Sequence, residues 1–180
     1  MKRYLLSVGV AVLSILPANA QSKFVQRTTD VLCLVPSATG LVKAVMENDR
    51  KGIVQLGLSS ATTLVVNYGL EAAIRKDRPD GDGHHAFPST HTAVAFDGAS
   101  FLMQRYGWKW GVPAYAVSAY VAWGRVHANR HDWWDVLGGA VIGAGSAFIY
   151  TRPFMRNMDL SIAPASFGND AKGVMAMIQF

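Results

Sequence analysis

Cysteine is nearly absent from this chain, and that alone excludes a disulfide framework: the single Cys33 has no partner for an internal bridge. It lies too far past Ala20, without small residues before it, to be a lipoprotein acceptor. A buried thiol is the expected role. Charge is also scarce. The formal net charge of +5 falls to +3 without Lys2 and Arg3, too weak an excess for nucleic-acid binding and sufficient for a site that collects anions. Internal repeats, low-complexity tracts and a His-Glu-x-x-His metal motif are all missing. Long apolar runs are missing from the second half: Gly111–Gly124 and Val136–Tyr150 are uncharged over only 14 and 15 residues, where a membrane span needs about 20. Asp97, Gln55, Asn67 and Glu71 interrupt the other helical stretches, and mean hydropathy is only +0.18. The expectation is a soluble or peripheral bundle rather than an integral one.

What is present begins with an export signal. Lys2 and Arg3 precede an apolar run from Tyr4 to Leu16, and Ala18-Asn19-Ala20 is a small-x-small cleavage site. Residues 1–20 read as a secretory signal peptide, which implies a periplasmic protein. Residues 21–180 then suit one domain with a full core.

Helical signals dominate that domain. Residues 21–48 read as one or two helices interrupted near Pro36-Ser37, and 49–75 as one long helix ended by Pro79. Asp80-Gly81-Asp82-Gly83 reads as a loop. Further helices are expected from Ser89 to Tyr106, from about Pro113 to Val126, and from Asp132 to Tyr150. After Pro153 two partly alternating runs flank Gly168-Asn169-Asp170, which predicts a hairpin over about 159–180. The fold class is therefore all-α: a bundle of five to six helices with a small C-terminal β-hairpin.

Three short patches carry chemistry: Arg78-Pro79, Pro88-Ser89-Thr90-His91, and Arg125 followed by His131 and Asp135. Two arginine forks can hold phosphate oxygens and stabilise transition-state charge. His91 opens a helix, where free backbone N–H groups attract phosphate, with Ser89 and Thr90 as added donors. In that position it can protonate a leaving oxygen. His131 and Asp135 are four apart, one turn on a helix face, so the carboxylate can take Nδ1–H and leave Nε2 free to attack. Taken singly, each patch has a plainer reading: N-capping by Ser89, an aspartate in a first helical turn, solvated arginines.

Together the patches resemble the type 2 phosphatidic acid phosphatase superfamily, whose signature is Lys-x6-Arg-Pro, Pro-Ser-Gly-His and Ser-Arg-x5-His-x3-Asp. The resemblance spans about Gly52 to Tyr150. It implies a metal-independent phosphatase without cofactor, in which His131 forms a phosphohistidine, His91 serves as acid and then base, and Asp135 orients His131. Arg78, Arg125, Ser89 and Thr90 would hold the phosphate. The implied substrates are phosphomonoesters or diphosphates, envelope lipids foremost, with a membrane surface as a further partner and no nucleic acid.

Three positions depart from the signature. Thr90 replaces the glycine and Gly124 the serine before Arg125, both minor. Glu71 replaces the lysine, setting a carboxylate beside the expected phosphate. Arg75, one turn on, is expected to supply the missing charge. Two other readings stand beside this one: a non-catalytic or weakened relative that binds lipid phosphate, supported by Glu71, and a metal-dependent hydrolase using His127, His131 and Asp135.

Overall fold

The computed structural model describes the backbone of residues 18–81, 83–154, 159–167 and 171–179, and side chains from residue 22 to 154 except 82. The helices are α1 (Ala18–Leu32), α2 (Val35–Met46), α3 (Arg50–Ile74), α4 (Thr90–Tyr106), α5 (Trp108–His127) and α6 (Trp133–Tyr150). The expected all-α fold is what the helical region shows. Backbone is extended at Asp159–Phe167 and Ala171–Gln179; as a hairpin this segment remains an expectation. The signal-peptide reading falls largely on residues 1–17, outside the described residues.

Helix α4 is the axle of the bundle, packed against α2, α3, α5 and α6. Small residues permit this. A Cβ at Gly143 would stand 2.0 Å from the Ala93 carbonyl oxygen, and one at Gly139 2.4 Å from that of Ser89. A Cβ at Gly98 on α4 would stand 2.3 Å from the Ser37 backbone nitrogen of α2. Backbones can approach so closely only where side chains are missing.

The far end of α4 is clasped by charge. Arg105 donates to both carboxylate oxygens of Asp49, at 2.7 and 2.5 Å, and Tyr106 adds a bond at 2.9 Å. This bidentate pair ties the start of α3 to the end of α4. It lies about 22 Å along the axis from the N-terminus of α4.

The distribution of polarity bears on how the bundle meets a membrane. Ser59, Thr63 and Asn67 follow each other at helical spacing on α3, and all three are fully buried. Thr92, Asp97, Ser100 and Ser118 are buried as well. Many large apolar side chains face outward: Val54, Leu58, Val65 and Val66 on α3, Leu41, Val42, Val45 and Met46 on α2, and Leu137, Val141, Phe148 and Ile149 on α6. Large apolar side chains exposed in such number on three helices mark an interaction surface, a membrane among the candidates. By length and composition, Ser22–Met46 and Arg50–Ile74 are long enough and apolar enough to cross a membrane. In the sequence Gln55, Asn67 and Glu71 break the apolar run of α3. Asn67 and Glu71 turn inward, so lipid-facing surface is uninterrupted by them, and the surface is that of a membrane-associated protein.

Candidate active site

The turn after α5 explains the Arg-x5-His spacing. Asn129 takes a left-handed conformation, φ 58°, and the backbone N–H groups of Arg130 and His131 both donate to the Arg125 carbonyl, at 3.1 and 3.3 Å. The chain doubles back, and Arg125 and His131 end up on the wall of one cavity. Asp132 then caps α6, accepting from the backbone N–H of Trp134 and of Asp135, while the Asp135 side chain accepts from the Asp132 N–H. This is a reciprocal capping box.

The loop from 75 to 89 brings in the second patch. Arg78 N–H donates to the Gly83 carbonyl, Ala86 N–H to that of Lys76, and Ser89 N–H to that of Asp135. Gly81 and Gly83 have φ of 76° and 94°, the left-handed region where glycine is free of strain. The loop is therefore stitched both to itself and to the start of α6.

These segments enclose a cavity of about 290 Å³ lined by Arg78, Thr90, His91, Arg125 and His131, together with Gln26, Asp30, Tyr68, Glu71, His85 and Arg130. Five of the eight residues expected at the site thus share one wall. Thr90 is held by the Asn67 side-chain amide at 2.8 Å, so the threonine in place of glycine is anchored rather than merely tolerated. Ser89 is fully buried beneath the lining, its Oγ accepting from Thr92.

Two placements differ from the sequence reading. Arg75 sits at the C-cap of α3 in a left-handed conformation, φ 46°, exposed and outside the lining; the turn that ends α3 four residues before Pro79 carries it off the face it shares with Glu71 and Arg78 on an ideal helix. Arg130 is the third arginine in the cavity, bonded to Asp80 at 2.8 Å. Nothing in the spacing marked it, because its position depends on the left-handed turn at Asn129.

The second concerns Asp135. His131 precedes the cap of α6, so the one-turn face geometry does not apply. Its Nδ1 lies 2.8 Å from the Ala86 carbonyl and 3.7 Å from the Asp135 carboxylate, beyond hydrogen-bond range. A carbonyl can only accept, so Nδ1 carries the proton and Nε2 keeps its lone pair. Asp135, fully buried, is bonded instead by Lys76 at 2.7 Å, and Lys76 also reaches Asp132 at 2.5 Å. The left-handed residue before it, Arg75, directs Lys76 to these two carboxylates.

Electrostatics set both histidines neutral. Burial first, then the Arg125 and Arg78 guanidiniums, lower the His131 pKa to about 4. Burial and Arg125 lower His91 to about 4, opposed by Asp30, whose carboxylate lies 3.3 Å from His91 Nε2 and 2.6 Å from Arg125. Asp30 comes from α1, which the sequence reading left out of the site. Gly124 explains its reach: a Cβ there would fall 2.5 Å from Thr29 Cγ2. The glycine in place of serine lets α1 close on α5.

His127 stacks on Trp123, with ring centroids 4.7 Å apart, and does not line the cavity. The trio required by the metal reading is therefore not assembled, and among the described residues no group of three His, Cys, Asp or Glu is placed to hold an ion.

Residues 31–159 match the model of the PAP2 superfamily. A lipid A 4'-phosphatase of Helicobacter pylori is 30% identical over 149 residues, covering 77% of this chain and 75% of that protein. A lipid A 1-phosphatase of Porphyromonas gingivalis is 39% identical over 69 residues, 37% of this chain and 16% of that one. Among solved structures, LpxE of Aquifex aeolicus superposes with a TM-score of 0.59 at 21% identity, covering 72% of this chain and 84% of that one. The transmembrane PAP2-type phosphatidylglycerolphosphate phosphatase of Bacillus subtilis gives 0.57 at 21% identity, over 80% and 81%; at such identities the likeness is one of fold. The resemblance seen in the three motifs holds across the chain, which belongs to the PAP2 superfamily as a phosphatase acting on phosphate esters.

Proposed function

We propose that the protein removes phosphate from an envelope lipid at the outer face of a bacterial inner membrane, through a phosphohistidine at His131. The observation that carries this is the convergence of Arg78, Arg125 and Arg130 with two neutral histidines on one cavity wall. The lipid assignment is supported by the outward apolar faces of α2, α3 and α6 and by relatives named as lipid A phosphatases.

In the first step His131 Nε2 attacks phosphorus as the bond to the leaving oxygen breaks. The positive charge developing on the ring is stabilised at Nδ1–H by the Ala86 carbonyl and, from farther off, by Asp135. The arginines hold the equatorial oxygens, where charge spreads in the transition state. His91 gives its proton to the leaving oxygen. An arriving phosphate dianion favours the imidazolium against the burial and the Arg125 field that keep His91 unprotonated, so the acid is generated by substrate. In the second step His91 takes a proton from water, which displaces histidine and releases phosphate.

The test is phosphate release from a micellar lipid phosphate and a soluble aryl phosphate, with and without EDTA, in wild type and His131→Ala. EDTA-resistant release, higher on the lipid and lost in the variant, is expected. EDTA-sensitive release, or full activity in the variant, would refute the reading.

A further inference from the structure

Glu71 is out of place in an anion pocket, and its surroundings say what it is for. It stands in the last turn of α3, its side chain only 16% exposed, and lines the same cavity as the phosphate-holding arginines and the two histidines. One carboxylate oxygen, Oε2, is buried with no hydrogen-bond partner, and the other lies 3.6 Å from His85 Nδ1, outside bonding range. A buried acceptor without a donor is costly. A carboxylate facing bound phosphate adds repulsion. Both are relieved if the ligand brings a donor to this position. Tyr68, one turn back on α3, and Gln26 on α1 line the same cavity, so its lining beside Glu71 can both accept and donate. It is suited to neutral hydroxyls and ill suited to hydrocarbon or to a second anion.

Resting on the phosphatase reading above, we infer that Glu71, with Tyr68, Gln26 and His85, forms a leaving-group subsite. Glu71 there accepts a hydrogen bond from a hydroxyl of the substrate. The preferred phosphate is then carried on a hydroxyl-bearing ring, such as the sugar of a glycolipid, and not on a fully esterified glycerol. A site built to bond a hydroxyl rejects analogues lacking it far more strongly than an apolar pocket rejects an extra group.

The experiment compares kcat/KM for an acylated sugar phosphate and for phosphatidic acid in the same detergent micelles, in wild type, Glu71→Gln and Glu71→Leu. Wild type is expected to favour the sugar phosphate by at least a hundredfold. That ratio is expected to fall about tenfold in Glu71→Gln, which keeps a neutral acceptor, and further in Glu71→Leu, which keeps none. A ratio near one in wild type, or a ratio the same in all three proteins, would overturn the subsite. So would a wild-type preference for a phosphate ester bearing an ammonium group and no hydroxyl. In parallel, calorimetric binding of both lipids to His131→Ala, with and without Glu71→Leu, reads the subsite without turnover. Absence of turnover in wild type beside hydroxyl-selective binding would refute the phosphatase reading and retain the subsite; absence of selectivity in binding would refute the subsite itself.

Discussion

Neutralising Asp135 separates two accounts of how His131 is held. If the carboxylate fixes the imidazole tautomer, Asp135→Asn mimics the loss of a triad aspartate, about ten-thousandfold in kcat. The geometry argues otherwise. Nδ1–H is bonded to Ala86 at 2.8 Å, and Asp135 is 3.7 Å away and already paired with Lys76. At an effective dielectric near 20, a unit charge at that distance would stabilise the imidazolium by about 4 kcal/mol. Lys76, 2.7 Å from the same carboxylate, cancels most of that field and leaves about 1–2 kcal/mol. The expected loss in kcat is therefore roughly fivefold to thirtyfold. The variant also loses a charged half of the α6 capping box, about 1 kcal/mol of stability, which thermal unfolding would register separately. Steady-state kinetics on a soluble aryl phosphate measures the effect. A ten-thousandfold loss with intact folding would refute the carbonyl-held tautomer and restore Asp135 as the orienting group.

Further predictions follow from burial and packing. The His131 pKa of about 4 means that kcat/KM falls about tenfold per pH unit below pH 4, as the nucleophile is protonated. The same group links to stability. Because its folded pKa lies below the unfolded value near 6.5, the unfolded chain takes the proton first, and stability is full above pH 6.5 and declines toward pH 4 by about 3 kcal/mol, as denaturant unfolding against pH would show. Gly143→Ala forces a methyl to within 2.0 Å of the Ala93 carbonyl; separating α4 from α6 is expected to destabilise by about 2–3 kcal/mol and to lower activity by shifting His91 against His131, measured by melting temperature and kcat together. Arg75→Gly removes a left-handed strain at an exposed cap and is expected to stabilise by about 0.5–1 kcal/mol with kcat/KM within twofold of wild type; a large loss of activity would return Arg75 to the phosphate site.

The cavity's main residues were legible in sequence because their spacing is itself structural. Arg125 and His131 are tied by two bonds to one carbonyl, and His91 by its place at a helix start. What sequence hid depended on backbone turns. Asn129 and Arg75, both at positive φ, redirect Arg130 into the cavity and Lys76 onto Asp135, and neither turn has a glycine to announce it. Asp30 was hidden for another reason: its role depends on α1 closing over Gly124, a contact distant in sequence. A membrane surface was expected as a partner, but which helices present apolar surface to it was hidden, because run length says nothing of facing. On α3 the polar residues 59, 63 and 67 share a buried stripe, so that helix presents apolar surface outward while failing a count of uninterrupted apolar residues.

The covalent intermediate is the centre of this account, and labelling tests it most directly. The protein is mixed with a substrate carrying radiolabelled phosphate, quenched in alkali and mapped by peptide mass. The account predicts an alkali-stable, acid-labile phosphate on His131, absent from His131→Ala and more persistent in His91→Ala, where the water step lacks its base. Turnover without any label on His131, or label on another residue, would contradict it.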